Sequence, residues 1–339
     1  MIASGSVAQP STVDSLLDLA ASVTGVPRDV VVRLGETLIS EPPAGSGPRG
    51  GRSGLNYDQS PIQLCFSSGP EGLHCRLLAD PALELADPVQ RFDASYAAMT
   101  RTVELTSSPA MRPFCDRTLQ LHLPDHAIGP DDYPDGILWI AAGVDTPGMA
   151  MYVDARRGGD ELAWPRLRNW FAALLPDMSE ADRALDVLRG RARLMCLGVE
   201  GAAPSNARAK LYWRLGSASP LSAIGIDRFR DPRFQRFLEI VMRERRIRLT
   251  GVVPSAGFKI DSGALSDVKL DVCACPGCLD WPAHDWSAIV SALGAEFGFA
   301  SLPVEEWLAF GEMAFIGFGL DGGGGPRLNI YLKPLRSAA

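Results

Sequence analysis

The chain has 339 residues, 46% hydrophobic and 22% charged, with a formal net charge of -7. It is long enough to bury a large core, and its acidic balance makes nucleic acid and anionic membrane surfaces poor partners. No run approaches the roughly 20 apolar residues of a membrane span, the N-terminus lacks a basic-then-apolar signal layout, and seven scattered cysteines read as reduced thiols, so a cytoplasmic location is expected.

Residues 12 to 38 space their apolar residues three and four apart, the period of a helix. Residues 42 to 56 are rich in Gly, Pro, Ser and Arg and read as a mobile lead-in or a lid. A strand from Pro61 to Phe66, a turn from Ser67 to Gly72 and a strand His74-Cys75-Arg76-Leu77-Leu78 make a first hairpin. Helical spacing returns over 88 to 103, and the irregular, proline-bearing stretch 106 to 135 is a second candidate for a loop over a site. The hairpin then recurs four times. Its first strands run from Ile137 to Ala142, Arg193 to Leu197, Gly251 to Phe258 and Met313 to Phe318. Its second strands are Gly148 to Tyr152, Arg208 to Tyr212, Asp267 to Asp271 and Arg327 to Tyr331. Helical spacing over 161 to 190, 228 to 246, 284 to 296 and 303 to 309 fills the intervals.

Aligned on their third residue, the second strands fall at positions 76, 150, 210, 269 and 329, a period of about 60 residues. Because side chains alternate along a strand, each copy has two unlike faces. One is apolar throughout: Cys75 and Leu77, Met149 and Met151, Ala209 and Leu211, Val268 and Leu270, Leu328 and Ile330. The other carries His74 and Arg76, Ala150, Tyr152 and Asp154, Arg208, Lys210 and Tyr212, Asp267, Lys269 and Asp271, Arg327, Asn329 and Tyr331. The expected fold class is α+β: five αββα repeats whose ten antiparallel strands close into a barrel, helices outside and the polar face lining the lumen. An open sheet with water on the polar side is the competing arrangement. The expected division is an N-terminal helix and lead-in over 1–56 and one barrel domain over 57–339.

Three stretches resemble the ABBA aromatic prenyltransferases, in particular the dimethylallyltryptophan synthases and the cyanobactin peptide prenyltransferases. Tyr57-Asp58-Gln59-Ser60-Pro61-Ile62-Gln63-Leu64 is similar to the family's first strand, Leu73 to Pro81 to its arginine-bearing second strand, and Arg208-Ala209-Lys210-Leu211-Tyr212 to its diphosphate strand. The resemblance implies transfer of a dimethylallyl or longer prenyl group from an allylic diphosphate, dimethylallyl or geranyl, to an electron-rich aromatic acceptor. Indole or tryptophan, free or in a peptide, is the expected acceptor. It further implies that Arg76, Arg208, Lys210, Lys269 and Arg327 hold the diphosphate and that Tyr152, Tyr212 and Tyr331 shield the carbocation. Gln63 stands where the indole enzymes carry a catalytic Glu, so it orients the acceptor. The base is then Asp271, Asp154 or Glu200, or else water or the diphosphate. No cofactor is expected, with Mg(II) at most accessory.

Two other readings remain open. The barrel could bind an anionic or aromatic molecule without catalysis, a reading to which Gln63, and Ala150 in place of a lysine, give support. Cys273, Cys275, Cys278 and His284 are chemically able to hold Zn(II), but they overlap a strand end, and no metal site is expected. The run Asp321 to Pro326 precedes a strand and not a helix, so it reads as a flexible hairpin turn, not a phosphate loop.

Overall fold

Each of the five hairpins forms where the alternation of residues places it, and the ten strands close on themselves. The computed structural model describes residues 12–39, 53–85, 87–123, 136–215, 226–243 and 251–335. The strands are β1 (Ile62–Gly69), β2 (Gly72–Ala79), β3 (Leu138–Gly143), β4 (Met149–Asp154), β5 (Ala192–Gly201), β6 (Arg208–Leu215), β7 (Val252–Lys259), β8 (Leu265–Cys273), β9 (Gly311–Asp321) and β10 (Pro326–Pro334). Every strand pairs antiparallel with its chain neighbour, and β1 pairs with β10, Cys65 opposite Tyr331, to complete the barrel. Closure leaves no unpaired sheet edge, which rules out the open sheet.

The apolar strand faces pack outward against helices. Leu77, Met151, Leu211, Leu270 and Ile330 are all fully buried, as are Trp170, Phe171 and Phe237 of the helices that cover them. Burial of each such side chain contributes about 1.5–3 kcal/mol. Phe171 meets Phe258 of β7 edge to face at 5.1 Å, and Phe237 stacks on Phe318 of β9 at 5.6 Å.

The helices are α1 (Thr12–Thr24), α2 (Arg28–Ile39), α3 (Pro88–Thr106), α4 (Arg112–His122), α5 (Gly159–Leu174), α6 (Ser179–Leu188), α7 (Pro232–Met242), α8 (Ala283–Phe297) and the single turn α9 (Val304–Trp307). Three departures from the expected elements have local causes. The continuous helix over 12 to 38 is two, because Gly25 takes φ +71° and Pro27 offers no N–H to continue the ladder. The helix over 161 to 190 divides likewise before Ser179, where Pro176 intervenes. The stretch 106 to 135 is not all irregular: Ser108 accepts from the Ala110 N–H, a short turn at Pro109–Met111 follows, and α4 buries Cys115, Thr118 and Leu119. Residues 124–135, like 42–52 of the expected lid, lie outside the described residues. No described helix is long and apolar enough to cross a membrane.

Candidate active site

Hairpin turns gather at one end of the barrel and strand-to-helix connections at the other, so the inward side chains of all five repeats share one lumen. Near the turns it holds a cavity of about 450 Å³, bordered by Arg76 of β2, Glu200 of β5, Lys210 of β6, and Arg327 and Asn329 of β10. Charges are dense here. Arg76 donates to Glu200 Oε1. Arg208 donates to Glu200 Oε1 at 2.9 Å and to Asp267 Oδ1 at 3.0 Å. Lys210 Nζ lies 3.3 Å from Glu200 Oε2 and 3.2 Å from Asp267 Oδ2, and Arg327 reaches Asp267 at 3.7 Å.

Burial alone would raise the Glu200 carboxyl. Arg208, Arg76 and Lys210 outweigh it and hold Glu200 well below the usual carboxylate range. Asp267 is held low against its burial by Lys210, Arg208 and Arg327. The Lys210 ammonium is lowered by burial, opposed by Asp267 and Glu200.

Halfway along the lumen lies a layer of three tyrosines and a lysine. Tyr152 and Tyr212 meet edge to face with centroids 5.6 Å apart. Lys269 Nζ donates to the Tyr331 hydroxyl at 2.5 Å, lies 5.1 Å and 5.8 Å from the Tyr331 and Tyr212 ring centroids, and pairs with Asp271 Oδ2 at 2.6 Å. Burial pushes all three phenols up, so they stay protonated. It also pushes the lumenal thiols of Cys65 and Cys196 up to about 11 and about 12.

Beyond the layer a second cavity, about 330 Å³, is bordered by Gln63, Trp139, Val253, Asp271 and Phe315. Tyr152, Tyr212, Lys269 and Tyr331 border both cavities. Gln63 Nε2 donates to the Leu55 carbonyl at 2.9 Å and to Asn56 Oδ1 at 2.7 Å, and Asn56 Nδ2 donates to the carbonyls of Ser60 and Ile62. The described end of the lead-in is thus bonded to this half of the barrel. Asp271 Oδ1 is buried with no hydrogen-bond partner.

Of the residues the sequence singles out, Arg76, Arg208, Lys210 and Arg327 assemble at the turn end, Tyr152, Tyr212 and Tyr331 in the layer, and Gln63 and Asp271 beyond it. Lys269 sits in the layer, not in the cation cluster. Two candidate bases stand apart from the second cavity. Asp154 is chelated by Arg156, whose Nε stands 2.9 Å and 3.0 Å from its two oxygens, and it borders neither cavity. Glu200 is bound to three cations at the opposite end from Gln63, and they hold its carboxyl well below the usual range.

Sequence reasoning did not give Asp267 a role, although it shares the inward register of Lys269. It also passed over Arg156, Arg193 and Arg214, which border the second cavity near its mouth. Cys275 and Cys278 flank a turn over Pro276-Gly277, while His284 lies 3.7 Å from Asp285. Among the described residues no group of three or more His, Cys, Asp and Glu side chains is placed to hold a metal. The glycine run at Asp321 is a hairpin turn, but a braced one. Asp321 Oδ1 accepts from the Gly323 and Gly325 N–H groups, and Arg228 donates to the carbonyls of Asp321 and Gly322.

No protein-family model matches the sequence, and no curated protein matches it. Solved structures do. 5-Dimethylallyltryptophan synthase from Streptomyces coelicolor, in complex with DMASPP and Trp, superposes with a TM-score of 0.77 at 18% identity, over 97% of this chain and 96% of that one. 6-Dimethylallyltryptophan synthase from Micromonospora olivasterospora, in the same kind of complex, gives 0.76 at 16% identity over 96% and 98%. AnaPT from Neosartorya fischeri gives 0.69 at 15% over 96% and 91%. At such identities the likeness is one of fold, and the chain has the ABBA barrel of these prenyltransferases.

Proposed function

We propose that the protein is an aromatic prenyltransferase that moves a dimethylallyl or geranyl group from its diphosphate to an indole or tryptophan, free or within a peptide. The observation that carries this is the tyrosine layer, with a cation cluster on one side and, on the other, a carboxylate one of whose oxygens has no partner. The fold shared with structures that hold DMASPP and Trp supports it.

The donor diphosphate lies among Arg76, Arg208, Lys210 and Arg327, with its prenyl group against the tyrosines. Its C–O bond breaks and the electron pair leaves with the diphosphate, whose growing charge the cations offset. The allyl cation meets ring faces, each contributing about 0.5–2 kcal/mol. It meets no thiolate, since Cys65 and Cys196 keep their protons. An acceptor held beside Gln63, Trp139 and Phe315 attacks through its π system, and Asp271 Oδ1 takes the proton that restores aromaticity. Lys269 holds the other oxygen of Asp271. On this reading the diphosphate needs no resident cofactor, with Mg(II) at most accessory. A cytoplasmic setting, supported by seven free cysteines, suits the chemistry.

Incubation with dimethylallyl and geranyl diphosphate and a panel of indoles and aromatic peptides tests the proposal. A prenylated product, formed in step with diphosphate release, is expected. Neither product nor release with any pair would refute it.

A further inference from the structure

The cations at the turn end are not left to themselves. Glu200, on β5, reaches Arg76, Arg208 and Lys210, while Asp267, on β8, reaches Arg208, Lys210 and Arg327. Arg208 and Lys210 are therefore gripped from two sides. The backbone makes room for this: a Cβ on Gly257 of β7 would stand 2.3 Å from Asp267 Oδ1.

Two cations on alternate residues of one strand repel each other, and burial penalises both. An arginine cannot answer by losing its proton, but Lys210, only 3% exposed, can. The groups facing Lys210 are Glu200 from β5, Asp267 and Lys269 from β8, Arg208 on its own strand, and the Tyr212 ring at 5.8 Å. Arg208 and Lys269 oppose its charge. The two carboxylates sustain it, and they also fix the direction of the Arg208 guanidinium.

We propose that Glu200 and Asp267 are positioning residues that hold Arg208 and Lys210, charged and in place, for a diphosphate. This rests on the prenyltransferase reading. Each carboxylate also repels a bound diphosphate, so its removal has opposite effects at the two ends of the pH range. At lower pH, Lys210 stays protonated without help and one repulsion is gone. At higher pH, Lys210 loses its proton sooner and the site loses a cation.

The test is calorimetric binding of inorganic diphosphate to the full-length protein, to Glu200→Gln and to Asp267→Asn, between about pH 6.5 and about pH 9.5. Titration of the probe is common to all three proteins, so the ratio to wild type isolates the protein's part. Each variant is expected to equal or exceed wild-type affinity at the low end and to bind at least about tenfold more weakly at the high end. Adding Lys210→Arg to either variant, a cation that keeps its proton, is expected to abolish the alkaline loss. A variant-to-wild-type ratio that stays flat with pH, or an alkaline loss that survives Lys210→Arg, overturns the proposal while leaving the donor site standing. Should Glu200→Gln fail to fold, Asp267→Asn yields the same readout. A wild-type protein that binds no diphosphate at any pH overturns the prenyltransferase reading, and this proposal with it.

Discussion

A Cβ on Gly317 of β9 would stand 2.0 Å from Asp271 Oδ1, so bare backbone on one strand makes the notch that a carboxylate on the next strand occupies. Gly317→Ala must push that carboxylate aside and strain its 2.6 Å pairing with Lys269. Diphosphate, proposed to bind on the far side of the tyrosine layer, should bind normally to this variant. Turnover should fall, and Asp271→Asn should lower kcat by about 10²- to 10⁴-fold, the usual share of a general base. Single-turnover kinetics beside diphosphate titration checks both. An Asp271→Asn enzyme with wild-type kcat would remove Asp271 from the proton transfer.

Tyr212 is the ring both lysines approach, each Nζ 5.8 Å from its centroid. Tyr212→Leu keeps an apolar wall but deletes the quadrupole, and it should slow ionisation by roughly 3- to 30-fold. Tyr212→Phe keeps the ring face and should stay closer to wild type. Water also gains a path to the cation, so the leucine variant should divert donor to the prenyl alcohol, a ratio that chromatography of the products measures.

Arg327 and Lys210 should separate binding from folding. Lys210 is 3% exposed and bridges Glu200 and Asp267, so Lys210→Ala should lose diphosphate affinity and also take a buried cation from two carboxylates that keep their arginines, a cost of about 1.5–3 kcal/mol in stability. Arg327 is 30% exposed and 3.7 Å from its partner. Arg327→Ala should weaken diphosphate binding by about 10- to 100-fold, the worth of a charged hydrogen bond, with little change in Tm. Equal Tm losses in the two variants would contradict this division.

His122, at the end of α4, sets an acid limit. Both ring nitrogens are buried without a partner, its ring meets Trp170 edge-on at 6.2 Å, and burial, with Arg166, pushes its pKa from 6.5 down to about 3. The unfolded chain binds a proton that the native one refuses. Stability therefore falls as pH drops from about 6.5 toward about 3, by at most about 1.4 kcal/mol per pH unit from this group. His122→Phe should flatten Tm against pH in that window, and an unchanged slope would assign the acid sensitivity elsewhere.

Period carried most of what could be read in advance. The spacing from Arg76 to Asn329 located all five second strands, and the alternation of Tyr152 with Met151, or Lys210 with Leu211, told lumen from packing face. Helix breaks at Gly25-Pro27 and near Pro176 were marked by residues that interrupt a ladder, but apolar periodicity runs straight across them. Partner choice was the part that alternation could not supply. Asp154, Glu200, Asp267 and Asp271 all point inward. Asp154 turns locally to Arg156 two residues on, whereas only the stagger of the closed barrel sets Glu200 and Asp267 among cations and leaves one oxygen of Asp271 unpaired.

The central claim is that the tyrosine layer divides a donor half from an acceptor half. A crystal structure with a thiolodiphosphate analogue of dimethylallyl diphosphate and L-tryptophan tests it most directly. The account predicts diphosphate among Arg76, Arg208, Lys210 and Arg327, prenyl carbons against Tyr152, Tyr212 and Tyr331, and the indole beside Gln63 and Asp271. Diphosphate found instead at the other mouth, among Arg156, Arg193 and Arg214, would contradict it.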